Sequence, residues 1–369
     1  MGLKRGRLGA VILIALIVLT GFLLLRDQPL GELAGALKRV QPGYVLLGLG
    51  LMFVFVGSEA MGTRVILGRL GHSVPYRRCL GYSFVGFYVS SITPSSTGGQ
   101  PAQIYYMSRD GVPAAHGALD MMLLAVCYQV TILLYAAVML LLRPGLLSLM
   151  GGGLGLLLLY GGAVMVVLTA GMLCVMFLPR AARRLTGGVL GILVRLRLIR
   201  EAKTARERLD RQLEEYREGA ACLRKNPGLI PVLLGLATVQ LTALFSVPFV
   251  VYRAFGLSEY GPMDLIGTQV LLTVATSALP LPGAVGASEG GFVAAFALFF
   301  GSDLVTPAVL VSRGISFYSF LVLSGIITLA VHMRGRKNGP GSPIGSRKNR
   351  PIPPRHSGKQ KIDKEDRAS

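Results

Sequence analysis

Charge is scarce in this chain of 369 residues: 15% are charged, against roughly 25% in soluble domains. Only 18 residues are acidic, while 52% are hydrophobic and mean hydropathy is +0.58. That shortage excludes an ordinary water-soluble domain. Cysteine is thin as well. Cys79, Cys127, Cys174 and Cys222 form no C-x-x-C pair or ligand cluster and read as buried or isolated thiols. No Walker A loop, H-E-x-x-H or Cys/His metal spacing occurs, so neither ATP-driven pumping by this chain alone nor a cofactor or metal is expected.

What the chain does have is apolar length. Runs at about 8–25, 44–63, 117–142, 153–178, 229–256 and 304–333 approach or exceed the ~20 residues that cross a bilayer. The class is an all-α polytopic membrane protein. The run Leu8–Leu25 follows Lys4, Arg5 and Arg7 like a signal peptide, but no small-x-small cleavage site precedes Arg26, so it reads as an uncleaved first span. The net charge of +20 does not indicate nucleic acid, because the basic residues lie in loops beside apolar runs.

Two further apolar runs are interrupted. The run 79–107 contains S-I-T-P-S-S-T-G-G-Q-P-A-Q, with Thr93, Pro94, Ser95, Ser96, Gly98, Gly99, Gln100, Pro101 and Gln103. The run 263–300 contains L-P-L-P-G-A-V-G-A-S-E-G-G, with Pro280, Pro282, Gly283, Gly286, Ser288 and Glu289. Hydrocarbon offers unpaired amides no hydrogen bonds, so broken polar backbone survives there only against protein or a wet cavity. The basic loops at 64–78 and 180–225 and the tail share one side only if 79–107 dips in and returns. The same logic sends 263–300 in and out from the other face. The expected arrangement is therefore six spans plus two re-entrant hairpins in an inverted repeat, with both termini cytoplasmic in the plasma membrane. Paired Gly/Pro-interrupted segments point to a transporter's midplane site.

Ionisable residues inside spans are functional candidates by default. Glu289 and Arg313 form either a structural bridge or a site in which Arg313 holds a headgroup phosphate and Glu289 balances charge or couples protons. Asp120 and Glu59 either sit at the interface or are functional, with Asp120 balancing charge or coupling protons; Gln100 and Gln103 satisfy hairpin carbonyls or touch ligand. Residues 195–225 read as an amphipathic surface helix with Leu209, Leu213 and Tyr216 on one face. Residues 334–369 read as a basic disordered tail attracted to anionic headgroups.

The blocks T-P-S-S-T-G-G-Q-P-A-Q-I-Y-Y-M-S-R-D-G-V-P at 93–113 and L-P-L-P-G-A-V-G-A-S-E at 279–289, with Asp120 and Arg313, resemble the flippase-like membrane domain of bacterial lysylphosphatidylglycerol synthases. The resemblance covers about 8–333. It implies movement of a polar-headed lipid, anionic or aminoacylated, between leaflets. Nothing after 333 matches the soluble lysyl-transferring domain, so lysyl transfer is not expected. Thr93, Ser95, Ser96, Gln100 and Gln103 are the expected hydrogen-bonding groups and Arg313 the cationic anchor, while Asp120, Ser288 and Glu289 complete the site. A homo-oligomer is compatible with this reading.

Two other classes stay open. Gly286–Gly290 fits G-x-S-x-G, so an intramembrane serine hydrolase at Ser288, in the manner of rhomboid-type proteases, is one. It needs a histidine, and only His332 and His356 follow. A non-catalytic membrane scaffold is the other.

Overall fold

The structure is a computed structural model that describes residues 35–93, 96–149, 153–177, 220–221, 225–277, 279 and 285–337. The run 8–25, nearly all of 195–225, most of the tail, and Pro94, Ser95, Pro280, Pro282 and Gly283 lie outside the described residues. Every element described is helical, in line with a polytopic all-α membrane protein.

The main helices are α1 (Pro42–Arg69), α2 (Tyr76–Ser91), α3 (Gly99–Arg109), α4 (Ala114–Leu142), α5 (Gly153–Phe177), α6 (Leu229–Phe245), α7 (Val247–Ala254), α8 (Pro262–Thr276), α9 (Ala287–Arg313), a π-turn (Gly314–Tyr318) and α10 (Ser319–Lys337), with a single helical turn at Leu146–Leu149 between α4 and α5. The expected span at 44–63 is α1, that at 117–142 is α4 and that at 153–178 is α5. The span expected at 229–256 divides at Ser246, where Pro248 enters at the start of α7. Large apolar side chains on the outer faces remain exposed, among them Leu141 at 81% and Leu159 at 73%. Such a surface suits lipid rather than water.

The two interrupted runs are helix–break–helix hairpins. α2 and α3 pack on each other, with the break at 92–98 between them. Close contact there needs glycine: a Cβ at Gly99 would meet Ser90 Oγ at 2.0 Å and the Gly86 carbonyl at 2.6 Å. The second hairpin is α8 followed by the first limb of α9. Within α9, Gly301 adopts φ 71° and ψ 168°, which are not helical values. Glu289 and Arg313 each stand twelve residues from Gly301, and a straight helix would separate them by about 36 Å at ~1.5 Å per residue. They are joined at 2.7 Å instead. The chain therefore folds back at Gly301, and the full-length apolar helix resumes only beyond it, through the π-turn and α10.

The two hairpins open toward opposite ends of the bundle. The base of the first lies at the N-terminal end of α4, reached from α3 through residues 110–113. The base of the second lies at the other end of α4, where Arg143 pairs with Asp264 at 3.7 Å. Packing follows the same exchange: α2 lies against α10, the helix after the second hairpin, and α8 lies against α4, the helix after the first. Helices α1 and α6, which precede the two hairpins, pack against each other.

α5 is held against α8 by the absence of a side chain. A Cβ at Gly161 would meet the Val274 carbonyl oxygen at 2.1 Å, and a backbone carbonyl cannot step aside as a side chain can. Gly161→Ala is expected to destabilise the protein by about 1–3 kcal/mol in thermal unfolding in detergent. Gly162→Ala, whose nearest neighbour is Val274 Cγ1 at 3.7 Å, is expected to stay within about 0.5 kcal/mol of wild type. Equal effects would mean that α5 does not depend on this approach.

Candidate functional site

A cavity of about 530 Å³ lies between the two hairpins. Its volume falls in the range of small-ligand sites, roughly 300–1,000 Å³. The first hairpin contributes Phe87, Ser90, Ser91 and Ser96, and the second Gln269, Thr273, Thr276 and Ser288. Ser312, Arg313 and Ser316 close it from the end of α9 and the π-turn. Apolar walls come from residues such as Met52, Ile132, Met165 and Phe292.

Arg313 is the cation on this wall. Its Nε donates to Glu289 Oε1 at 2.7 Å, and its guanidinium lies over the Phe317 ring, 4.3 Å from the centroid. Glu289 is 2% exposed and sits in the first turn of α9, where acidic charge is favoured by the helix dipole. Its Oε2 accepts the Gly286 N–H at 2.6 Å, and the Tyr318 hydroxyl donates to Oε1 at 3.4 Å. Gly286 itself has φ 90°, a left-handed value that a side chain would resist. The Glu289–Arg313 pair is a buried bridge, and Arg313 also lines the cavity. The π-turn that follows Arg313 re-aims Ser316 and Phe317, and Ser316 Oγ donates back to the Ser312 carbonyl at 2.8 Å.

Of the other residues named from sequence, Ser96 and Ser288 line the cavity; Ser96 has the strained φ of 54°. Thr93 does not. Its hydroxyl donates to the Val89 carbonyl at 2.8 Å and accepts the Gly98 N–H at 3.0 Å, so it closes the break. Gln100 is exposed, and Pro101 lies beside it in the first turn of α3. Gln103 and Asp120 lie elsewhere, in a buried cluster with Glu59: Gln103 Nε2 donates to Glu59 Oε1 at 3.0 Å. Asp120 is fully buried within the protein. Ser288 has no histidine partner among the described residues. His332 is bonded to Tyr106 at 3.1 Å, and His72 to His116 at 2.8 Å. Burial and the neighbouring imidazole push His72, in the loop after α1, below the ordinary histidine range.

Sequence reasoning missed Gln269, Thr273 and Thr276. They recur at helical spacing on one face of α8, a periodicity present in the sequence but set inside an apolar run. Thr273 and Thr276 donate to carbonyls one turn back, at 2.8 and 2.9 Å, so each keeps an acceptor oxygen.

A family model described as the lysylphosphatidylglycerol synthase TM region matches residues 8–324. A UPF0104 membrane protein of Methanothermobacter thermautotrophicus is 22% identical over 324 residues, which is 84% of this chain and 91% of that protein.

Removing one member of a buried ion pair strands the other charge. Glu289→Ala is therefore expected to lower stability by about 3–5 kcal/mol in thermal unfolding. Adding Arg313→Met should restore at least half of that loss, because no buried charge then lacks a partner. Simple addition of the two single losses would show that the pair is not coupled.

Proposed function

We propose that this chain, which belongs to the lysylphosphatidylglycerol synthase transmembrane-region family, moves a polar-headed lipid between the leaflets of the plasma membrane. The observation that carries this reading is that both hairpins line one and the same cavity, with Arg313 on its wall. A volume of about 530 Å³ suits a headgroup and not a whole lipid, so the acyl chains stay in the surrounding bilayer. Arg313 holds the phosphate through charge-assisted hydrogen bonds. Ser96 and Ser288 stand near the starts of α3 and α9, where helix N-termini favour an anion. The hydroxyls and amides of α8 replace the water that the headgroup leaves behind, which avoids the several kcal/mol of unpaired polar burial.

Orientation follows from charge. Arg64, Arg69, Arg77, Arg78 and Arg109 gather where α1 ends, α2 begins and α3 ends. That end faces the cytoplasm, along with both termini. The first hairpin then enters from the cytoplasmic side and the second from the outer side. Each limb is shorter than the ~20 residues needed to cross: α2 has 16 and α8 has 15. The process makes and breaks no covalent bond. Basic segments near the membrane add attraction to anionic headgroups.

The test is quenching of fluorescent phospholipids in proteoliposomes. Wild-type protein is expected to expose inner-leaflet lipid to the quencher faster than empty vesicles, with a rate that depends on the headgroup. Arg313→Gln is expected to slow it about 10–100-fold, the equivalent of roughly 1.5–3 kcal/mol for hydrogen bonds to a charged group. Folded wild-type protein no faster than empty vesicles, with or without imposed ion gradients, would overturn the proposal.

A further inference from the structure

A second polar site lies apart from the cavity, in the four-helix layer of α1 to α4. Thr63 on α1, Ser83 on α2, Gln103 on α3 and Asp120 on α4 are each 5% exposed or less. They occupy one depth. Each lies six or seven residues from the basic end of its helix, about 9–10 Å at the helical rise. Glu59 stands one turn above Thr63 on the same face of α1. These helices pack on one another, and Gly86 lets Gln103 reach across, since a Cβ there would meet Gln103 Nε2 at 2.1 Å.

Five buried oxygen atoms of this layer have no hydrogen-bond partner: Thr63 Oγ1, Ser83 Oγ, Gln103 Oε1 and both carboxyl oxygens of Asp120. Thr63 lies within hydrogen-bonding reach of the Asp120 carboxyl and Ser83 within reach of Glu59, yet in this pose none of the five oxygens is bonded. Buried polar atoms are almost always partnered, and orphans of one kind gathered in one place call for a ligand. Thr63 and Ser83 can donate as well as accept, but every one of the five oxygens can accept, so one cation satisfies them all at once. Neither Glu59 nor Asp120 forms an ion pair among the described residues.

We propose that Asp120, Thr63, Ser83, Gln103 and Glu59 form an oxygen-lined binding site for a dehydrated sodium ion. Oxygen donors alone select a hard cation, and no group of three His, Cys, Asp or Glu side chains gathers among the described residues to hold a transition metal. Calcium takes about six to eight oxygen ligands, and the five unpartnered ones here fall short of that number. Glu59 accepts the Gln103 amide N–H on one oxygen, while Asp120 has both oxygens unused beside three neutral oxygens. Magnesium demands near-ideal octahedral geometry and keeps several of its waters, which a set of directly facing protein oxygens does not suit. Tyr128 links the two sites: it lines the lipid cavity and lies within electrostatic reach of Glu59. The site stands on its orphaned oxygens and not on the translocation reading, although in that reading sodium would be the coupling ion.

The test measures thermal unfolding of the purified protein in detergent with a thiol-reactive dye, which reports exposure of the buried Cys79 and Cys127. Sodium chloride is titrated against choline chloride at constant ionic strength. The midpoint is expected to rise by a few degrees and to saturate with sodium. Asp120→Asn should abolish that rise while unfolding at or above the wild-type midpoint in choline, because a buried carboxylate without a partner is gone. If Asp120→Asn does not fold, Thr63→Val and Ser83→Ala should each shift the sodium titration to at least about tenfold higher concentration. Equal midpoints in sodium and choline would overturn the proposal, as would a sodium response that survives Asp120→Asn, or one produced equally by calcium or by potassium. No lipid movement enters this readout, so a bound sodium with no lipid transfer would leave this site standing and remove the translocation reading.

Discussion

The pairing of Glu289 with Arg313 sets the geometry of the second half of the protein. Two residues twenty-four positions apart meet at 2.7 Å only because the chain doubles back at Gly301. One carboxylate thereby holds three elements: the Gly286 turn through its backbone N–H, the π-turn through Tyr318, and α9 through Arg313. In hydrocarbon a lone charge of either sign would be far more costly than the pair, so the contact enforces the hairpin as well as decorating it. The same constraint places a guanidinium on the cavity wall, backed by a fixed counter-charge and an aromatic face. A cation held this way can meet an anion without first being freed from a flexible pose.

The two hairpins solve the problem of broken backbone differently. In the first, hydroxyl side chains do the work: Ser91 donates to Phe87, Thr93 to Val89, and Ser90 to Ser96. Those groups are occupied by closure of the turn, and only part of the polar run faces the cavity. In the second, the buried carboxylate of Glu289 caps the helix after the break. Polar contributions to the cavity come instead from α8, ahead of the break. The resulting wall is asymmetric in chemistry although it is close to symmetric in architecture.

Much of the architecture could be read from the sequence because membranes punish ambiguity. Apolar runs of span length mark helices, and Gly/Pro/hydroxyl clusters inside such runs mark breaks. Alternation of basic loops then led to two hairpins opening oppositely, and the Arg143–Asp264 contact at the far end of α4 accords with that arrangement. The direction of individual side chains was not legible. Thr93, Gln100 and Gln103 sit in one conspicuous polar run, yet one closes the turn, one is exposed and one reaches into another helix layer. Gln269, Thr273 and Thr276 were hidden for the opposite reason, since a hydroxyl bonded to its own helix looks apolar in any sequence average. The π-turn after Arg313 has no proline or glycine pair to announce it, only Gly314, and arises from tertiary packing.

The placement of polar groups along the bundle axis bears on mechanism. The cavity lies near the two breaks, about 21 Å from the start of α2 if measured at Ser90. The acidic layer lies nearer the basic end, with Glu59 closest to the cavity and Tyr128 between them. All four helices of that layer belong to the first hairpin or its two flanking spans, whereas the Glu289–Arg313 pair belongs wholly to the second. Two helices of the layer, α2 and α3, flank the break that brings Ser90 and Ser96 to the cavity. Because α2 packs on α10 and α8 packs on α4, neither hairpin can shift without moving a helix that follows the other. An arrangement of this kind couples the two ends of the protein through rigid contacts rather than through a flexible linker, and close glycine approaches lie on both contacts, Gly325 against Tyr88 and Gly267 against Met139.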